Sequence, residues 1–336
     1  MFEVLRQTGV VRLVADSKWR RQRLLILCYH GIAQEDEHLW RPALYMEHGV
    51  LESRLEIIRR GNYNVLPLGE ALRRLRAGEL PPRSVSITFD DGMANFAKRA
   101  FPLLQSYGFP VTVYQTTYYT EFQKPIFNLI CSYLLWKRRS EVFEGANELG
   151  LVPPLDLRTE TSRNAIASNL VRTAEKDDLS GAQKDELAAK LAALLGIDYQ
   201  QILGKRLLHV MSPQEIAQLA RQGVDFQLHT HRHRALLNEE LFREEIQENR
   251  SKLQAMTGTP AVHFCYPSGV YKKEFAGWLK KEDVVSATTC EPDLATVRTE
   301  PLRLPRFIDT SARSAAEFEG WLAGVGAIMA RRSRDA

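Results

Sequence analysis

The stretch Val85-Ser-Ile-Thr-Phe-Asp-Asp-Gly92 decides the fold prediction. Val85, Ile87 and Phe89 are apolar, and the residues between them are small and polar. Alternation with a period of two is typical of a β-strand that has one apolar face. In a barrel, the apolar side chains of such a strand face the outer helices and the small polar ones face the interior. The strand then delivers the two aspartates that follow Phe89 to the mouth of the barrel.

Short apolar runs alternate with helical patterns on both sides of this stretch. The other runs comprise residues 24–28, 111–114, 224–228, 262–266 and 284–287. This rhythm is typical of βα units around a mainly parallel sheet. It breaks between residues 121 and 206, where polar sequence rich in Ala, Lys and Glu follows a helical pattern. We therefore predict an α/β fold with a helical insertion that contains no strand.

The length, charge and cysteine content of the chain argue against several classes of function. The chain has 336 residues, which is enough for one large α/β domain or two small ones, and a formal charge of +4. So small a basic excess does not favour nucleic acid as a partner. The four cysteines are far apart and form no C-x-x-C pair. Their spacing argues against a cysteine-ligated zinc site or a redox pair.

The two ends of the chain bear on its location. No apolar stretch is long enough to span a membrane, and the first residues lack the features of a signal peptide, so we expect a cytoplasmic protein. Residues 1–23 are basic, and residues 313–336 combine apolar and basic side chains. Either end could make peripheral contact with the anionic inner face of a membrane. The alternative is that both ends pack on the domain as helices. The sequence leaves the oligomeric state open.

Polar clusters follow four of the predicted strands. They are Tyr29-His30-Gly31, Asp90-Asp91-Gly92, the run from His229 to His233, and Pro267-Ser268-Gly269. Catalytic groups of parallel α/β barrels converge at the carboxyl ends of the strands. Four clusters in this one position therefore predict a catalytic site at that end.

Two of these clusters carry metal-ligand chemistry. Asp90 and Asp91 are adjacent carboxylates whose repulsion a cation would relieve. His229 and His233 share one face if their segment is helical or tightly turned, whereas pairs that include His231 would suit an extended strand. One aspartate and two histidines leave a coordination position open, which is typical of a catalytic zinc site.

These residues resemble a known family. Thr88-Phe-Asp-Asp-Gly92 and His229-Thr-x-x-His233 are similar to the two principal motifs of the polysaccharide deacetylases, also called carbohydrate esterase family 4 or the chitooligosaccharide deacetylase homology domain. The resemblance implies a distorted (β/α) barrel. We predict five segments: a basic N-terminal segment (1–23), the first part of the barrel (24–120), the helical insertion (121–206), the second part of the barrel (207–312) and a C-terminal amphipathic helix (313–336).

The resemblance also implies roles for individual residues. Asp90 falls on the catalytic base of the family, and Asp91, His229 and His233 fall on its metal ligands. Ser268, through its backbone N–H, and Tyr266 fall on the substrate and oxyanion positions. The expected cofactor is a divalent metal, with Zn²⁺ as the default and Co²⁺, Ni²⁺ or Mn²⁺ as alternatives.

The sequence departs from the family pattern in three places, one of which is Leu228, before His229, where the family commonly has a small polar residue. No histidine follows His263, although the family often supplies its general acid from a late Leu-x-His motif. We predict that His30 takes this role, with His231 as a further candidate beside His263. Cys265 stands where the family has an arginine that orients the catalytic aspartate. We predict that Arg306 reaches the same carboxylate from a later strand.

The predicted function is a metal-dependent hydrolase that removes N-acetyl groups from an amino sugar. Its partner would be an N-acetylated polysaccharide, oligosaccharide or glycolipid precursor. A related deformylase or O-deacetylase would share the same metal ligands. A non-catalytic glycan-binding module is the alternative from another class, although such a module would have no use for the base Asp90.

Overall fold

The structure is a computed structural model that describes residues 2–7, 9–144 and 149–332. Residues 1–118 and 211–336 form one compact unit, which we call the sheet unit. Residues 119–210 form a second, which we call the helical unit. The predicted segments 1–23, 121–206 and 313–336 each include a few residues that lie outside the described ranges.

One parallel sheet of eight strands organises the sheet unit. The strands are β1 (Leu25–Tyr29), β4 (Asn64–Val65), β5 (Ser84–Phe89), β6 (Thr112–Gln115), β9 (Asp225–Leu228), β10 (His263–Cys265), β11 (Ser286–Thr288) and β12 (Phe307–Ile308). Their order is β11-β10-β9-β6-β5-β1-β12, and β4 pairs with β5. A parallel bridge between Thr288 and Leu304 connects β11 to the segment that leads into β12. The sheet therefore curls into an incomplete barrel, which confirms the predicted fold class.

Helices flank the sheet. They are α1 (Phe2–Gln7), α2 (Val10–Ala15), α3 (Lys18–Arg21), α4 (Glu37–Trp40), α5 (His48–Arg60), α6 (Leu68–Ala77), α7 (Phe101–Ser106), α13 (Pro213–Arg221), α14 (Glu239–Thr257), α15 (Phe275–Lys281), α16 (Ala315–Ala323) and α17 (Val325–Arg332). A short pair of strands, β2 (Gly31–Ile32) and β3 (Tyr45–Met46), lies beside β1 in sequence.

The alternation of β5 separates the core from the site. Val85, Ile87 and Phe89 join the apolar core that the helices cover. Thr88 and Asp90 point to the other face, where both accept hydrogen bonds from Arg306. The same strand thus contributes to packing on one face and to the polar interior on the other.

The helical unit contains α9 (Phe127–Lys137), α10 (Glu160–Lys176), α11 (Gly181–Leu194) and α12 (Tyr199–Lys205), and the short α8 (Tyr118–Phe122) leads into it. It also contains an antiparallel pair of strands, β7 (Val142–Phe143) and β8 (Leu155–Asp156). The prediction of an insertion without strands is therefore wrong in this detail. Two-residue strands are too short to show a periodicity in the sequence.

Both ends of the described chain are helical. Ala15, Ala323 and Val325 form a small buried cluster against which Phe2 and Leu5 pack. Val4 and Leu13 remain exposed. Within the described ranges, none of the helices combines the length and apolarity needed to cross a bilayer. Peripheral contact with a membrane stays a prediction.

Candidate metal centre

Asp91, His229 and His233 meet at the carboxyl ends of β5 and β9. The Oδ1 atom of Asp91 lies 3.2 Å from Nε2 of His229 and 3.3 Å from Nε2 of His233. One ligand atom from each residue falls within 4.8 Å of the other two. Asp91 and His233 have backbone φ angles of 68° and 56°, so tight left-handed turns aim both side chains at the same point. The structure therefore selects the pair His229 and His233 over the pairs that include His231.

The surroundings of His229 fit a metal ligand. Its Nδ1 lies 2.9 Å from the carbonyl oxygen of Cys265, so Nδ1–H donates there, and Nε2, on the side of Asp91, is the nitrogen that would bind a metal. Burial would lower the pKa of His229, but Cys265 and Asp91 outweigh burial and raise that pKa. Burial would raise the pKa of Asp91, but His233 and His229 lower it. Two nitrogen donors and one carboxylate oxygen are the donor set of a catalytic zinc site, and a divalent cation would replace the proton that these groups share.

Asp90 forms a buried ion pair with Arg306. Nη1 and Nη2 of Arg306 donate to the two carboxylate oxygens of Asp90 over 2.6 and 2.7 Å. Arg306 is fully buried, and Asp90 is 3% exposed. Burial would raise the pKa of Asp90, but the guanidinium outweighs burial and holds that pKa well below its ordinary value. Asp90 is therefore an ionised carboxylate at neutral pH, fixed by a two-pronged contact.

Two thiols complete the surroundings of Asp90. Sγ of Cys265 lies 3.3 Å from Oδ2 of Asp90 and 3.0 Å from Nη2 of Arg306. Sγ of Cys28 lies 3.6 Å from the same carboxylate oxygen. The sequence alone predicts no site role for Cys28. Cys28 lies one residue before the end of β1, and β1 pairs with β5, the strand that leads to Asp90. This position could have identified Cys28 as a residue of the site.

His30 lies at the edge of this group. Its Nε2 is 3.9 Å from Oδ2 of Asp90, and 18% of its side chain is exposed. The structure does not bring the other two candidates for the general acid to the site. The ring nitrogens of His231 face Thr117 and Glu248. His263 lies on β10 with its Nδ1 2.8 Å from Ser286.

The loop after β10 separates the two predicted substrate residues. Ser268 has a left-handed backbone (φ 54°) and an exposed side chain, and its N–H has no acceptor among the described residues. Tyr266 is fully buried, and its hydroxyl donates to the carbonyl oxygen of Leu302. Its own N–H donates to the carbonyl oxygen of Thr288. The structure thus places the Tyr266 ring in the core rather than at the metal ligands.

Comparisons with known proteins agree with this geometry. Residues 77–137 and 187–285 match the family model described as polysaccharide deacetylase. Over 99 residues the chain is 27% identical to the poly-beta-1,6-N-acetyl-D-glucosamine N-deacetylase of Escherichia coli K12. That match covers 29% of this chain and only 14% of the length of the relative.

Several solved structures share the fold. The deacetylase PplD from Streptococcus pyogenes, in complex with acetate, superimposes with a TM-score of 0.56 at 17% identity, over 87% of this chain and 94% of that one. IcaB from Ammonifex degensii superimposes with a TM-score of 0.53 at 15% identity, over 90% and 97% of the two chains. A polysaccharide deacetylase from Bacillus cereus gives a TM-score of 0.54 at 17% identity, over 89% and 69%.

Proposed function

We propose that this chain, as a member of the polysaccharide deacetylase family, is a metal-dependent hydrolase. It removes N-acetyl groups from amino sugars in a polysaccharide, oligosaccharide or glycolipid precursor. The observation that carries the proposal is the convergence of Asp91, His229 and His233, with the ionised Asp90 next to them. A pure binding module would not need a buried carboxylate that an arginine keeps ionised.

The chain's own residues supply the proton chemistry. A divalent metal held by Asp91, His229 and His233 would polarise the acetyl carbonyl and make water easier to deprotonate. Asp90 takes the proton from the attacking water because it is ionised and lies at the mouth of the barrel. Arg306 keeps Asp90 in that state and fixes the direction of its carboxylate.

Two further groups act on the acyl carbon and the leaving amine. The free N–H of Ser268 donates to the carbonyl oxygen as negative charge builds on it. His30 donates a proton to the departing amine. Its Nε2 lies 3.9 Å from Oδ2 of Asp90, and its side chain is partly open to solvent. In this scheme Tyr266 supports the Ser268 loop from the core.

Metal removal and replacement tests the proposed function. The chain is treated with a chelator, reloaded with Zn²⁺, Co²⁺, Ni²⁺ or Mn²⁺, and incubated with β-1,6-linked and β-1,4-linked N-acetylglucosamine oligomers. We expect acetate release to disappear on chelation and to return with at least one metal. Parallel assays with N-formyl and O-acetyl sugars separate the related hydrolases. Stoichiometric metal binding without release of any acyl group from any of these sugars would favour a binding module.

Replacing His30 tests the proposed acid. We expect His30→Ala to lower turnover by about 100-fold and to change the shape of the pH–rate profile, because an amine is a poor leaving group without a proton donor. His48→Ala, which changes a histidine at the start of α5, is the control and should leave both quantities unchanged. Near-normal turnover of His30→Ala with the parent profile would remove His30 from the mechanism.

A further inference from the structure

The segment from His229 to His233, here called the histidine loop, adopts an unfavourable backbone conformation. Thr230 and His233 both have left-handed φ angles, 63° and 56°, although neither is a glycine. Such a loop persists only if its surroundings hold it in place. The metal geometry depends on this conformation, because it brings both imidazoles to Asp91.

Asn249 is the side chain that connects the histidine loop to its neighbours. It lies on α14, is fully buried, and accepts the backbone N–H of His229 over 2.9 Å. Its amide nitrogen donates to the carbonyl oxygen of Gln115, the last residue of β6, and to Oγ1 of Thr117. One side chain on a covering helix therefore ties together the ends of two adjacent strands.

The hydrogen bonds of Asn249 continue to the middle of the histidine loop. Because Oγ1 of Thr117 accepts from Asn249, its own hydroxyl hydrogen is available for Nδ1 of His231, 2.9 Å away. His231 is thereby an acceptor at Nδ1 and carries its proton on Nε2, which faces Glu248. The carbonyl oxygen of His231 accepts from the N–H groups of Thr117 and Tyr118.

A second residue of α14 holds the other side of the loop. The carbonyl oxygen of Glu245 accepts the N–H of His231, and its carboxylate accepts the N–H of Arg232 over 2.6 Å. Asn249 and Glu245 are one helical turn apart, so α14 contacts the loop on one line. Each backbone donor named here has a partner, which offsets the strain of the two left-handed residues.

We infer that Asn249 is a positioning residue for the metal centre, acting through His229 directly and through Thr117 and His231 on the rest of the loop. This inference rests on the proposed function, since it concerns the same metal ligands. His231 then holds the histidine loop in place and is neither a metal ligand nor the general acid. Outer-shell partners of metal ligands commonly change metal affinity by about 10- to 100-fold when they are replaced.

The test measures metal affinity separately from folding. Asn249→Leu keeps the number and branching of the side-chain heavy atoms and removes all three hydrogen bonds. Leu253→Ala is the matched control, because Leu253 is fully buried one turn further along α14 but contributes no side-chain hydrogen bond to the histidine loop. The readouts are the Zn²⁺ dissociation constant by competition with a chromophoric chelator, the visible spectrum of the Co²⁺ form, and thermal unfolding of the metal-free chain.

We expect Asn249→Leu to weaken Zn²⁺ binding by about 10- to 100-fold and to alter the Co²⁺ spectrum. Leu253→Ala should lower the melting temperature but bind Zn²⁺ within about twofold of the parent chain. Thr117→Val, which removes one hydroxyl at constant shape, should weaken binding about fivefold and carries the test if Asn249→Leu does not fold.

The outcomes separate two claims. A folded Asn249→Leu variant, or failing that a Thr117→Val variant, with the affinity and Co²⁺ spectrum of the parent overturns the positioning role alone. Equal weakening by Leu253→Ala overturns it as well, since general loosening of α14 would then explain the effect. A parent chain that binds no Zn²⁺ at all contradicts the metal centre of the proposed function, and the positioning role with it.

Discussion

Replacing Asp90 by asparagine is expected to lower the rate of acetate release by about 10²- to 10⁴-fold while metal binding stays close to that of the parent chain. Asparagine has the same shape but cannot accept a proton from water. It also does not remove a metal ligand, because the carboxylate that faces His229 and His233 belongs to Asp91. The measurement is turnover in the metal-replete assay together with the metal dissociation constant.

The neighbouring residue provides the control for this prediction. Asp91→Asn should lose most metal affinity, and its activity should fall for that reason. Asp90→Asn also leaves the Arg306 guanidinium without its counter-charge, so we expect lower stability and would assay well below the unfolding temperature. If Asp90→Asn released acetate at the parent rate, or if it lost metal as fully as Asp91→Asn, the division of roles between the two aspartates would be wrong.

The fold could be predicted from the sequence where the elements are long enough to show a period. The strict alternation over residues 85–89 and the repeated apolar runs are local patterns, and the structure has strands at those places. The pairs Gly31–Ile32 with Tyr45–Met46 and Val142–Phe143 with Leu155–Asp156 could not be predicted. A strand of two residues has no periodicity, and only its partner stabilises it.

The candidate site, like the fold, could be predicted only in part from the sequence. Sequence reasoning placed Asp90, Asp91 and the histidine loop at strand ends, but it left three pairings of histidines open. The left-handed turns at Thr230 and His233 decide among them, and those turns depend on hydrogen bonds from Asn249 and other distant residues. The sequence contains a pattern that could have identified Asn249. It is a polar residue on the buried face of α14, in line with Phe242, Ile246 and Leu253.

Closure of the sheet brings Arg306 to Asp90, a contact that we predict from the family resemblance and not from a local pattern. Arg306 lies 216 positions after Asp90, just before β12, and β12 pairs with β1. No local pattern predicts that pairing. The small Cys265 side chain lies 3.0 Å from the guanidinium, so the position where the family has an arginine is here filled by a thiol that leaves room for Arg306.

Replacing Arg306 by methionine is expected to reduce the free energy of unfolding by about 3–5 kcal/mol. The variant leaves Asp90 buried, with the two thiols but without a positive partner of its own. The bonds that Arg306 donates to Thr88 and to the carbonyl oxygen of Thr289 are lost as well. Denaturant unfolding of the metal-free chain measures this cost, and we expect turnover to fall because the direction of Asp90 is no longer fixed.

Two further variants give this prediction its specificity. Arg303→Met removes an exposed pair with Glu291 on the same segment and should cost less than about 1 kcal/mol. The double variant Asp90→Asn with Arg306→Met should recover much of the stability that either single change loses, because no buried charge is then left unpaired. It should not recover turnover, since the base is gone. An Arg306→Met variant as stable as Arg303→Met would show that Asp90 does not depend on Arg306, and the base would then need another partner to stay ionised in a buried site.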